Sequence, residues 1–84
     1  MEVKFFNAAW CGPCKQMKPH IDKLVSEGYS IQDIDIDQNS TLAESAEVRG
    51  VPTLAIYENG VEVERLVGYE DYDRLKARLD IYKK

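Results

Sequence analysis

Val3-Lys4-Phe5-Phe6-Asn7-Ala8-Ala9-Trp10-Cys11-Gly12-Pro13-Cys14-Lys15 is the stretch that decides the fold. Val3 to Phe6 reads as a short buried strand. Downstream, Met17, Ile21, Leu24 and Val25 recur at the spacing of one helix face, so a strand passes into a helix with two thiols at the junction. Cys11 then sits at the helix N-terminus, where unpaired N–H groups and the helix dipole favour a negative charge. A thiolate is the form of cysteine that attacks a disulfide. Its free pKa of about 8.5 falls to roughly 7 or below in Cys-X-X-Cys motifs at helix starts. Cys11 is therefore expected to be the nucleophile, with its sulfur facing solvent. Cys14, nearly one turn on, is expected to be covered and to resolve the mixed disulfide by attacking Cys11. Pro13 suits the first turn because its missing N–H would have had no partner there, and Gly12 leaves room for another backbone.

Two blander readings compete. A static staple across so short a loop would constrain the unfolded chain little. A zinc site usually needs four protein ligands, and only His20 could join the two cysteines. The context favours redox chemistry over metal binding.

Composition agrees with a single globular domain over residues 1–84. Hydrophobic residues make up 44% and charged residues 31%, as in soluble globular proteins. Fifteen acids against eleven bases give a formal charge of −4, which argues against nucleic acid as a partner. No apolar run approaches a membrane span, and no basic start precedes a hydrophobic stretch, so neither a membrane partner nor a signal peptide is expected. A dithiol without such a signal fits a reducing cytoplasm.

Periodicity orders the elements. A strand near 2–7 leads to a helix from about Cys11 to Glu27, stopped by Gly28 and kinked at Pro19. Ile31 to Asp37 alternates as a half-buried strand, with Ile34 and Ile36 inward. A short helix is expected over Ser40 to Arg49, ended by Gly50. Thr53–Tyr57 and Val61–Leu66 flank Asn59-Gly60, a strong hairpin signal. A final helix over Glu70 to Tyr82 puts Tyr72, Leu75, Leu79 and Tyr82 on one face, with acids opening it and bases closing it. The pattern βαβαββα implies an α/β fold with a mixed four-stranded sheet and helices on both faces.

The segment Trp10-Cys11-Gly12-Pro13-Cys14-Lys15, followed by Pro19, resembles the active-site segment of the thioredoxin family, and Arg49-Gly50-Val51-Pro52-Thr53 resembles that family's cis-proline loop. The likeness continues through Ile36-Asp37-Gln38-Asn39, Glu58-Asn59-Gly60 and Val67-Gly68, covering essentially the whole chain. The first strand leads straight into the cysteines, so the family's extra N-terminal strand and helix are expected to be missing, as in the minimal thioredoxin fold. The resemblance implies strand order 2-1-3-4 and a cis Val51–Pro52 bond that turns the Val51 backbone outward, where an extended substrate could pair with it. It also implies a groove rim of Val51, Pro52, Thr53, Val67, Gly68 and Tyr69, opposite Trp10 and Pro13.

By the same resemblance the chain is a thiol–disulfide oxidoreductase reducing protein disulfides, a monomer without a bound cofactor. It would be recharged from NADPH through a flavin-dependent thioredoxin reductase. Two alternatives remain: a glutaredoxin-like, glutathione-dependent reductase, and a redox-inert binding module. Against the first, Gly12-Pro13 follows a Trp where glutaredoxins typically carry Pro-Tyr, and their Gly-Gly with an acidic pair is not apparent after the hairpin. Against the second stand the two intact cysteines. The chain also departs from the family. Phe5 occupies the place of the usual buried aspartate beneath the second cysteine, and Asp33 that of the facing lysine. Asp33 is thus a candidate proton relay, against the plainer reading of a solvated strand residue. Asn7 stands where an aromatic residue is common. Lys4, odd within a central strand, is expected to reach water across a partly open sheet face. His20 is read as a surface residue without a role.

Overall fold

The computed structural model describes residues 1–83 and contains strands β1 (Glu2–Asn7), β2 (Ile31–Asp35), β3 (Thr53–Glu58) and β4 (Val61–Val67). Its helices are α1 (Gly12–Ser26), α2 (Ser40–Ser45) and α3 (Tyr72–Tyr82). The sheet order is β2-β1-β3-β4, with β1 parallel to β2 and the other pairs antiparallel. The expected element order and strand order are both present.

Alternation along the strands divides the core in two. Val3, Phe5, Leu54 and Ile56 point to one face, where Met17, Ile21 and Leu24 of α1 and Leu75 and Leu79 of α3 cover them; Tyr72 and Tyr82 pack at the margin. On the other face Phe6, Ile34 and Ala55 meet Ala46 and Val48, just past α2. Lys4 shares this second face, half-buried, with its ammonium 4.8 Å from the Tyr57 ring and 3.7 Å from Glu2. The Lys4 side chain is 22% exposed, and its ammonium has the Glu2 carboxylate as a partner.

Element ends differ from expectation for local reasons. Val25 is exposed because the buried stripe of α1 runs through Cys14, Met17, Ile21 and Leu24. Pro19 lies inside α1 without ending it. Strand β2 stops at Asp35, whose carboxylate accepts the Asp37 N–H at 2.8 Å and turns the chain. Helix α2 ends at Ser45, well before Gly50. Glu47 adopts φ 56°, the Val48 N–H returns to the Ala43 carbonyl at 3.0 Å, and Arg65 from β4 donates to the carbonyls of Ala46 (2.6 Å) and Glu47 (3.0 Å). A side chain distant in sequence thus takes the carbonyls that a longer helix would use. Helix α3 begins at Tyr72, because the Asp71 carboxylate caps it through the Arg74 N–H at 2.9 Å, and no base occupies its last turn. In the hairpin, Asn59 and Gly60 both take positive φ (52° and 81°), the left-handed pair of a tight β-turn.

Candidate active site

Parallel pairing of β1 with β2 and antiparallel pairing with β3 carry three chain segments to one end of the sheet. These are the β1–α1 junction with the cysteines, the turn after β2, and the Gly50–Thr53 approach to β3. Cys11 is the N-cap of α1, in extended backbone, and Gly12 and Pro13 open the helix exposed to solvent. Lys15 is likewise exposed.

Cys11 and Cys14 form a disulfide with their Cα atoms 5.3 Å apart. The Cys14 N–H, one of the orphan donors of the first turn, points at Cys11 Sγ at 3.2 Å. This is the capping geometry that a serine or aspartate oxygen would adopt, with sulfur in the acceptor place. The two residues are equally covered, Cys11 at 4% exposure and Cys14 at 3%, packed with Ala8 and flanked by Ile36 and Val51. The expected contrast of an open Cys11 and a covered Cys14 is therefore corrected for the oxidised protein. In the bridged pair Ile36 and Val51 pack against the cluster that holds both sulfurs.

Of the groove residues named from sequence, Val51 packs against the cluster that holds the cysteines, and Gly68 is tied to Pro52. The Val51–Pro52 peptide is cis; Pro52 is buried, and the Thr53 hydroxyl donates to the Gly50 carbonyl at 2.6 Å. The Gly68 N–H donates to the Pro52 carbonyl at 2.8 Å, so the segment leaving β4 lies against the proline loop. Gly68 has φ 98°, a left-handed conformation that suits glycine. Trp10 and Val67 are each 67% exposed and Tyr69 44%, large side chains left partly uncovered. A depression of about 480 Å³ lined by Gln38, Asn39, Ser40, Thr41, Leu42 and Ser45 includes neither cysteine.

Phe5 is completely buried within the α1/α3 side of the core and leaves no titratable group at that point of β1. Asp33 lies across from it in register on β2. Its carboxylate pairs with the Lys18 ammonium and accepts from Asn7 Nδ2 at 2.6 Å. Partial burial would raise its pKa, but the hydrogen bonds from Lys18 and Asn7 and the charge of Lys18 outweigh that and hold it below the usual carboxylate range. Lys18 is raised in turn, chiefly by its hydrogen bond to Asp33. Asp33 is thus a paired, ionised group tying β2 to α1.

Four neighbours of the site carry bonds that sequence alone did not assign. Asn7 and Lys18 both reach Asp33. Asp37 accepts from Trp10 Nε1 at 2.8 Å and steadies the exposed indole. His20, read as roleless, meets the Tyr69 hydroxyl at 3.0 Å. Lys18 could have been suspected, one helical turn after Cys14 on the same side. The others meet partners at least 26 residues away, and no local pattern signals such pairs. Among the described residues no group of three His, Cys, Asp or Glu side chains has the geometry of a metal site, and no helix is long and apolar enough to cross a membrane.

The thioredoxin family profile matches residues 2–81. A thioredoxin of Chlamydia pneumoniae is 44% identical over 75 residues, covering 87% of this chain and 72% of the relative. The mitochondrial thioredoxin of Mus musculus is 40% identical over 77 residues, which is 88% of this chain but 46% of that protein. The chain therefore spans about half the length of the mitochondrial relatives it matches. A mutant thioredoxin from Halobacterium salinarum NRC-1 superposes with a TM-score of 0.91 at 39% identity, over 99% of this chain and 74% of its own. Fasciola hepatica thioredoxin gives 0.90 at 31% identity, over 98% and 80%. Sheet order, the paired cysteines at a helix cap and a profile match over nearly the full length agree: the chain belongs to the thioredoxin family.

Proposed function

We propose that this chain is a thiol–disulfide oxidoreductase that reduces protein disulfides by cycling Cys11 and Cys14 between dithiol and disulfide. The observation that carries the proposal is the capping contact, the Cys14 N–H aimed at Cys11 Sγ at 3.2 Å across a reversible bridge. In the reduced protein the same donor, with the N-terminal end of α1 behind it, stabilises a Cys11 thiolate.

The chemistry balances in two displacements. The Cys11 thiolate attacks one sulfur of the substrate disulfide; a Cys11–substrate bond forms, the substrate bond breaks, and one substrate thiolate leaves. Cys14 then gives up its proton and attacks Cys11 Sγ, which re-forms the Cys11–Cys14 bond and expels the second substrate thiolate. Two electrons pass to the substrate, and a disulfide reductase must return them. By family resemblance that reductase is flavin-dependent and draws on NADPH.

Trp10, Val51, Pro52, Thr53, Val67, Gly68 and Tyr69 form the proposed substrate surface. Uncovered apolar groups at Trp10, Val67 and Tyr69, beside a backbone segment at Val51, suit an extended polypeptide lying across the sulfurs as an added strand. Gly12 and Pro13 keep the approach to Cys11 low, and Lys15 contributes positive charge nearby. Asp33, held ionised by Lys18 and Asn7, serves as a fixed charge rather than a proton store. A reducing compartment, the cytoplasm, suits a transient dithiol.

Insulin reduction coupled either to thioredoxin reductase with NADPH or to glutathione tests the proposal. Turnover with the first and little with the second is expected. The opposite preference would indicate a glutaredoxin-like enzyme, and a Cys11→Ser/Cys14→Ser variant with full biological activity would leave only a binding module.

A further inference from the structure

We infer that His20 is a positioning residue for the substrate groove: it fixes Tyr69, and through it the Val67–Tyr69 rim, against the helix that carries both cysteines. His20 lies on α1, and its Nε2 is 3.0 Å from the Tyr69 hydroxyl; the two rings meet edge to face with centroids 6.1 Å apart. The roles of donor and acceptor follow the imidazole tautomer, and a phenol can serve in either.

The connection reaches the sulfurs in few steps. Tyr69 directly follows Gly68, whose N–H bonds the Pro52 carbonyl at 2.8 Å, and Val51 on the other side of Pro52 packs against the cluster of Ala8, Cys11 and Cys14. Paired Thr53 and Val67 close the β3–β4 ladder at the same level. Beyond them the chain has no regular structure until the Asp71 cap of α3. The rim segment is thus held at its backbone by Gly68 and at its side chain by His20. Tyr69 is in neither core cluster and is 44% exposed, and its hydroxyl is held by His20. Without His20 the ring and the backbone beside it gain freedom that a docking polypeptide must remove. A rim already ordered in the free protein lowers that cost and strengthens substrate binding. The effect falls on binding, since His20 touches neither sulfur.

The role of His20 rests on the oxidoreductase reading, and the test separates the two. Steady-state reduction of a protein disulfide by the full chain is measured in His20→Ala and His20→Gln. His20→Ala is expected to raise KM about three- to tenfold, the worth of one net hydrogen bond, with kcat within about twofold. His20→Gln, whose amide can reach the phenol, is expected to restore most of the loss. Tyr69→Phe combined with His20→Ala is expected to add nothing to the KM of Tyr69→Phe alone. An unchanged KM in His20→Ala, or a loss confined to kcat, would overturn the assignment. Turnover of a small aromatic disulfide by the unaltered protein needs the thiols without the groove; its absence would sink the proposed function itself, whatever His20 does.

Discussion

Reducing the Cys11–Cys14 bridge should leave the protein folded and only modestly less stable, which distinguishes a working redox pair from a structural staple. The cysteines are three positions apart, so the bridge closes a loop of about four residues. Chain-entropy reasoning assigns that loop about 6 cal/mol/K, or about 2 kcal/mol at 25 °C. The ten buried residues of the main core, from Val3 to Leu79, include neither cysteine, so opening the bridge should leave their packing in place. Truncating one of them, as in Leu24→Ala, costs about 2–5 kcal/mol, at least as much as opening the ring. For a domain of this size about 2 kcal/mol corresponds to a fall in Tm of about 8–15 °C. Thermal melts followed by far-ultraviolet circular dichroism, with and without excess dithiothreitol, measure this directly. A reduced protein that is unfolded at 25 °C, or a drop far above 15 °C, would refute the reasoning and make the bridge structural.

Asp33→Asn probes the pairing with Lys18. The folded pKa lies below the ordinary 3.8, so the stabilisation is fully present above about pH 4 and is lost as pH falls through the folded value. Both partners are more than a third exposed, and screening limits the effect to a few tenths of a kcal/mol. The Tm gap between wild type and variant should close below pH 4; an equal gap at every pH would contradict the pairing. The same variant should leave the neutral limb of the pH–rate profile of disulfide reduction unmoved, whereas loss of that limb would make Asp33 the proton relay. Arg65→Lys cannot reproduce a planar fork reaching two carbonyls and Glu62, and should cost about 1–2 kcal/mol by urea denaturation, with faster amide exchange at Val48. Unchanged exchange there would mean that Arg65 does not hold the end of α2. Gly68→Ala meets no crowding, yet φ 98° should cost about 1–2 kcal/mol and weaken binding of protein disulfides; a neutral result would show that the rim turn relaxes freely.

Much of the site was legible because its signals are local. A strand feeding a helix, two thiols at its cap and Asn59-Gly60 between alternating runs each occupy a few consecutive residues. The element order follows from them. What was not legible depends on distant partners. Nothing near Ala46 announces that Arg65 will cap α2, so the local pattern extends the helix four residues too far. The Asp35 turn shortened β2 by a hydrogen bond that competes with the ladder. Cys14 is covered as its spacing implies, but the cover over Cys11 is not legible, because spacing reports where a sulfur starts on the helix and not which segments pack on it, here those of Ile36 and Val51. His20 and Tyr69 are separated by 49 residues and share no motif, so only the folded chain brings them together.

Alkylation of the reduced protein by iodoacetamide across pH 4–10, resolved for each cysteine by mass spectrometry, tests the capped-thiolate claim most directly. Cys11 should react at least tenfold faster than Cys14 at pH 7, with an apparent pKa of about 7 or lower, a value known for the thioredoxin family. Two cysteines reacting at similar slow rates, both titrating near 8.5, would contradict a thiolate stabilised at the cap of α1.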